Sequence, residues 1–222
     1  MFPLYDIART YKFPLVTYLI ILFTTLVFLV EVSVPNPEVF IYKWALIPNK
    51  VDFSNYKTLY PFLTSIFLHG SFLHIFSNLW FLKIFGDNVE EDLGSFHYLL
   101  FYLFGGAFAA FTQYLLIPNS PVPFLGASGA IAAVLGYYFV RFPRHYVKTL
   151  IPFFPFFFTV NLPAYILLFY WFVTQFFNGT ASLIYFANTQ TSGGIAWWAH
   201  IGGFVFGYIY GSFKKKAQST FN

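Results

Sequence analysis

The sequence predicts an all-α polytopic membrane protein, a bundle of six transmembrane helices with both termini cytoplasmic. Of its 222 residues 58% are hydrophobic and only 9% are charged, and a mean hydropathy of +0.65 exceeds what the core of a soluble chain of this size requires. The apolar runs are long enough to cross about 30 Å of hydrocarbon as helices. They are too dense in Phe, Leu and Ile to read as the alternating strands of a barrel. Lys and Arg fall unevenly between successive loops, and that asymmetry sets the orientation.

The first span, Leu15 to Val34, is longer than the core of a signal peptide. The "EVSVPNPE" that follows it has no small-x-small cleavage site, so it reads as a retained helix. Pro35 to Gly70 mixes Pro, Asn, charges and aromatics and predicts an outer segment packed on or into the membrane face. Phe72 to Asn88 and Phe96 to Ile117 are the second and third spans, and Ala127 to Phe142 is the fourth, entered from the uncharged loop Ser120 to Leu125. Val147 to Val160, "VKTLIPFFPFFFTV", is apolar, but Pro152 and Pro155 disfavour a regular helix, and a re-entrant or interfacial piece is expected. The fifth span is Leu162 to Phe177. Gly179 to Ile195, uncharged and rich in Gly, Ser, Thr and Asn, predicts a mobile cap. Ala196 to Phe213 is the sixth span, followed by a short basic tail at 214–222. No repeat or linker divides residues 1–222, which form one domain.

With the N-terminus inside, Arg9, Lys12, Lys83, Arg141, Arg144, Lys148 and Lys214 to Lys216 lie on the cytoplasmic side, and Lys43, Lys50 and Lys57 outside. The net charge of +4 is therefore a statement about topology and does not imply a nucleic-acid partner. The terminal lysines serve as a headgroup anchor. The absence of Cys excludes disulfides, thiolate metal sites and a cysteine nucleophile.

In this orientation every even-numbered helix begins at the outer surface. Ser128 opens the fourth, His200 the sixth, and His74 with Asn78 the second, so the most unusual intramembrane polar residues share one layer. Each has a plain structural explanation when taken singly. A serine in a membrane helix commonly bonds the carbonyl four residues back, and His74 and Asn78, four apart on one helical face, suit interhelical glue. Neither explanation requires a serine and a second histidine at the same depth. Ser128, Ala132 and Gly136 recur every four residues, and Gly203, Gly207 and Gly211 follow His200 along nearly one face. Two such faces pack closely and bring the Ser128 hydroxyl to the His200 imidazole.

That pair is half of an acyl-transfer site, because an alcohol needs an adjacent base to take its proton as it attacks. The other half is donors for the oxyanion: the Asn78 amide, a His74 ring N–H and the backbone N–H of Ser128. No carboxylate opens an outer helix end, so a dyad is expected, with the ring held by packing. Other hydrolytic plans lack their residues. "HExxH" is absent, "GDN" at Gly86 to Asn88 is not a paired-aspartate site, no SxxK pattern exists, and in Gly126-Ala127-Ser128-Gly129 the second glycine directly follows the serine, unlike GxSxG. A transporter or a helix-binding scaffold remains as the non-enzyme reading.

"FLHGSFLHIFSN", "FGDNVEEDLG", "GASGA" and "WWAHIGGFVFG", in this order, resemble the rhomboid family of intramembrane serine proteases, particularly its six-helix prokaryotic members, over roughly residues 63–211. The resemblance implies Ser128 as nucleophile, His200 as general base, and His74 and Asn78 as oxyanion contributors. Gly126 and Gly129 match the glycines of the family's GxSG, and His69 a further histidine, structural or water-holding, before the second helix. Two positions depart from the pattern. Tyr60-Pro61 stands where a Trp-Arg pair often precedes "LTSIFLHG", and Ala132 stands where some members stack an aromatic on the catalytic histidine. The resemblance further implies transmembrane protein substrates that enter sideways from the bilayer and unwind locally, with small residues at the cut. It implies no metal or organic cofactor, residence in a prokaryotic plasma membrane with the site towards the outer side, and a gate at the fifth helix. Phe169, Phe172 and Phe176 line such a gate or simply face lipid. A rhomboid-like protein that binds membrane helices without cutting them is the alternative.

Overall fold

The computed structural model describes residues 1–8, 10–189 and 195–220. Arg9, residues 190–194 of the expected mobile cap and the side chains of Lys215 and Lys216 lie outside the described residues. The elements run β1 (Phe2–Asp6), α1 (Leu15–Ser33), α2 (Pro37–Trp44), α3 (Pro61–Thr64), α4 (Phe72–Leu93), α5 (Ser95–Leu116), α6 (Ser128–Arg141), β2 (Tyr146–Phe153), β3 (Phe156–Pro163), α7 (Ala164–Thr189) and α8 (Trp197–Thr220).

Each expected span coincides with a long helix, from α1 through α4, α5, α6 and α7 to α8. By length and composition, α1 and α5 are able to cross a membrane, and the pair Tyr56–Phe67 with α4, bent by 79°, is a third candidate. Helix α6 falls short by length, with 14 residues, and α4 qualifies only together with the segment before it, because its second half carries Lys83, Asp87, Glu90, Glu91 and Asp92.

Helix α6 is the axis of the bundle. Every residue from Gly129 to Tyr138 is buried, and the helix packs against α4, α5, α7 and α8. Its tightest seam is with α8. A Cβ on Gly203 would fall on the Gly129 carbonyl, one on Gly207 on the Ala133 carbonyl, and one on Gly136 on the Phe204 carbonyl. Small residues at these positions let the two backbones touch. The outer face of α1 shows the opposite pattern: Leu19, Leu22, Phe23, Leu26 and Leu29 are exposed, the surface a bilayer solvates.

The expectation of an all-α chain is corrected. β1, β2 and β3 form an antiparallel sheet in that order, with Phe2 opposite Leu150 and Leu150 opposite Thr159. Val147 to Val160 thus lies within a β-hairpin. Its two prolines forbid a helix, its Phe, Val, Ile and Thr favour extended backbone, and the chain's first residues supply a third strand to pair with it. The Trp80 indole fastens the sheet to α4 by donating to the Pro3 carbonyl at 2.9 Å.

The cap is corrected as well: α7 continues through Gly179 to Thr189. Its polar residues are absorbed by the helix itself. The Thr180 and Ser182 hydroxyls donate to Phe176 and Gly179 carbonyls at 2.9 and 2.7 Å. Gly179 leaves room for Trp197 and Trp198, and the Trp198 indole donates to its carbonyl at 3.0 Å.

The outer segment is anchored without a Trp-Arg pair. The Tyr60 hydroxyl donates to the Lys43 carbonyl at 2.6 Å and the Thr64 hydroxyl to the Trp44 carbonyl at 2.7 Å. Leu46 and Phe124 exchange backbone bonds of 3.0 and 2.7 Å. This ties the segment to the loop that leads into α6.

Candidate active site

Ser128 is the first residue of α6, and its approach is fixed by the residues before it. Gly126 has φ +125°, a conformation open to glycine, and a Cβ there would lie 2.8 Å from His74 Nε2. Its N–H donates to the Ser65 carbonyl at 2.9 Å. The next N–H, of Ala127, points at His69 Nε2 at 3.4 Å. The backbone N–H of His69 in turn donates to the buried Glu31 carboxylate of α1 at 3.1 Å. His69 thus supports the backbone that presents Ser128.

His200 lies in the first turn of α8. That turn is held by Gln113 of α5, whose Oε1 accepts from the Ala199 N–H at 3.1 Å. The close seam between α6 and α8 brings the two helix starts to one depth, and His200 Nε2 sits 2.7 Å from Ser128 Oγ. A hydroxyl so placed can pass its proton to the ring as the oxygen attacks an electrophile.

Two neighbours of His200 escaped the sequence reading. Gln175 Oε1 lies 2.7 Å from His200 Nδ1, and the Trp171 ring lies 5.8 Å from the imidazole at an interplanar angle of 33°. Both come from α7, one turn apart. An aromatic contact on His200, absent at Ala132, thus comes from another helix, as a tilted ring pair. The available signal was a glutamine within the apolar run "YWFVTQFF", since a polar side chain there needs a partner inside the bundle. Of the stripe expected at a gate, Phe169 and Phe176 are exposed, while Phe172 packs on Phe204 at 4.8 Å.

Ser128, His200, His74 and Asn78 all line one cavity of about 680 Å³. Asn78 Nδ2 is buried and has no partner among the described residues. The first N–H groups of α6 have no acceptor within the helix either. A developing oxyanion beside Ser128 is what such donors accommodate. No Asp, Glu, Lys or Arg among the described residues lines the cavity. Among the described residues no group of three or more His, Cys, Asp or Glu is gathered as metal ligands are.

The architecture is that of a helical membrane bundle built round a part-buried serine–histidine contact. A sequence model of the rhomboid domain matches residues 56–216, and the chain belongs to the rhomboid family. It is accordingly an integral membrane protein of a family associated with intramembrane proteolysis. It is 43% identical over 79 residues to Rhomboid-like protein 11, chloroplastic, of Arabidopsis thaliana, 36% of this chain and 28% of that protein. It is 35% identical over 83 residues to the rhomboid protease GlpG of Haemophilus influenzae, 37% of this chain and 42% of that one. Over 159 residues it is 30% identical to the presenilin-associated rhomboid-like protein, mitochondrial, of Bos taurus, 68% of this chain and 37% of the relative. The chain thus matches less than half the length of each.

Proposed function

We propose that this protein is an intramembrane serine endopeptidase that cuts transmembrane segments near the outer face of a prokaryotic plasma membrane. The observation that carries the reading is the 2.7 Å contact between Ser128 Oγ and His200 Nε2 inside a cavity that also holds the Asn78 amide, whose Nδ2 has no partner among the described residues.

In this mechanism Ser128 Oγ attacks the scissile carbonyl carbon while His200 Nε2 takes the hydroxyl proton. Asn78, His74 and the head of α6 stabilise the oxyanion. The intermediate collapses as His200 returns the proton to the leaving amine, and an acyl-enzyme remains. Water, deprotonated by the same ring, then releases the acid and regenerates Ser128.

The six-span topology with both termini inside is part of the proposal, and α6 supports it. Its 14 residues measure about 21 Å, short of the ~30 Å hydrocarbon core. With the inner end at the headgroups, Ser128 sits below the outer surface, in a hollow that water and an unwound substrate can share. A helix binder without activity would not need the intact Ser128–His200 pair.

Reconstituted protein, offered a single-span substrate with a Gly- or Ala-containing outer half, should yield two fragments with a new terminus in that half. Cleavage that persists in the Ser128→Ala protein would overturn the proposal.

A further inference from the structure

For His200 to act as a base its proton must sit on Nδ1, leaving Nε2 bare towards the Ser128 hydroxyl. The arrangement round Gln175 decides this. Its Nε2 donates to the Trp171 carbonyl at 3.1 Å and lies 3.2 Å from the Thr174 hydroxyl. These contacts orient the amide so that Oε1 is the end facing His200 Nδ1, at 2.7 Å. An amide oxygen only accepts, so Nδ1 is the protonated nitrogen and Nε2 is left to receive the serine proton.

We propose that Gln175 is the positioning residue of this site, selecting the tautomer of His200 and fixing its ring plane as the third member of a Ser128–His200–Gln175 relay. The inference rests on the proteolytic reading. A neutral amide suits the surroundings. Among the described residues the cavity holds His74 of α4 and Tyr185 of α7 as its other titratable groups and no Asp, Glu, Lys or Arg, and an unpaired carboxylate there would be costly to bury. Trp171, one turn before Gln175, packs a tilted indole against the same ring. Two of the contacts that hold the imidazole therefore come from α7, which packs on α6 and α8 but scarcely on α4. Seating of α7 against α8 and competence of the base are one condition.

The test uses the full chain in detergent, with the pH profile of fluorophosphonate labelling and the ring ¹⁵N resonances of His200, assigned by their loss in His200→Ala. The parent is expected to show a pyrrole-like Nδ1 and a pyridine-like Nε2. Gln175→Met should label about 10²-fold more slowly with mixed tautomers, a loss below the ~10⁴-fold seen when a triad aspartate is replaced. Gln175→Glu should restore most of the rate and move the acidic limb up by about one pH unit, as a neighbouring anion favours imidazolium. Labelling of Gln175→Met at the parent rate, or a parent His200 protonated on Nε2, would overturn the role. Should Gln175→Met fail to fold, an unmoved limb in Gln175→Glu would do so. A parent that never labels would sink the proteolytic reading, while the ¹⁵N result would still decide the tautomer.

Discussion

Both ends of the bundle bury polar side chains, yet they dispose of them in opposite ways. At the end where α4 finishes, Asp92 accepts from Arg141 at 2.9 and 3.1 Å and from the Tyr137 hydroxyl at 2.5 Å, and Lys214 reaches the same residue. Glu90 takes the Val16 and Thr17 N–H groups at 2.9 and 2.8 Å, capping an α1 that has no cap of its own. Asp6 accepts from Asn88 Nδ2 and the Tyr138 hydroxyl. Burial raises its carboxyl above the usual range against these bonds. Here charge is consumed by charge and by helix ends. At the other end the cavity round Ser128 is lined by neutral amides, hydroxyls and histidines, the nearest carboxylate being Glu31, which takes the His69 N–H at 3.1 Å, and Asn78 Nδ2 and His69 Nδ1 have no partner among the described residues. A buried donor left open costs stability, and in the proposed mechanism the Asn78 amide is offset when the oxyanion forms. Open groups are not confined to this end, since the Tyr98 and Tyr102 hydroxyls also have no partner among the described residues; the contrast that separates the two ends is one of charge, with carboxylates paired to cations and helix ends at one and neutral groups round Ser128 at the other.

Mutations that break the two ends should therefore fail differently. The largest effect is expected of Ser128→Ala or His200→Ala: turnover falls by roughly 10⁶-fold, as when a serine protease loses its nucleophile or base, while thermal unfolding in detergent is unchanged. Arg141→Ala takes one partner from the part-buried Asp92 (side-chain exposures 12% and 16%). With Tyr137 and Lys214 still holding Asp92, it should lower unfolding stability by about 1 to 2 kcal/mol, measured by denaturant titration, with the rate per folded molecule kept. Asn78→Ala should cost about 10²-fold in kcat, the scale of one oxyanion donor, without loss of stability. Phe169→Ala, at an exposed position, should change either quantity by less than about 0.5 kcal/mol. An Asn78→Ala protein that unfolds while keeping its rate would collapse the distinction between the ends.

The helices were legible because apolar periodicity and length survive without knowledge of neighbours, and the α6–α8 seam because its glycines repeat every four residues. The meeting of Ser128 and His200 followed from that repeat. The sheet was not legible, since its third strand comes from the chain's first residues and nothing local in "VKTLIPFFPFFFTV" announces a partner more than a hundred residues away. Gln175 was missed for a related reason. The outer helix ends carry no carboxylate to orient His200, and the partner that does meet its ring is an amide within α7. The Gly179 to Thr189 stretch misled by composition, because hydroxyls that bond to carbonyls three or four residues back are compatible with a helix.

The most direct measurement of the central claim is labelling of the purified full chain by a fluorophosphonate, comparing the parent with Ser128→Ala and His200→Ala. Label confined to the parent is the predicted result. Equal label in the Ser128→Ala protein, or none in a folded parent, would contradict an activated serine at the open end of the bundle.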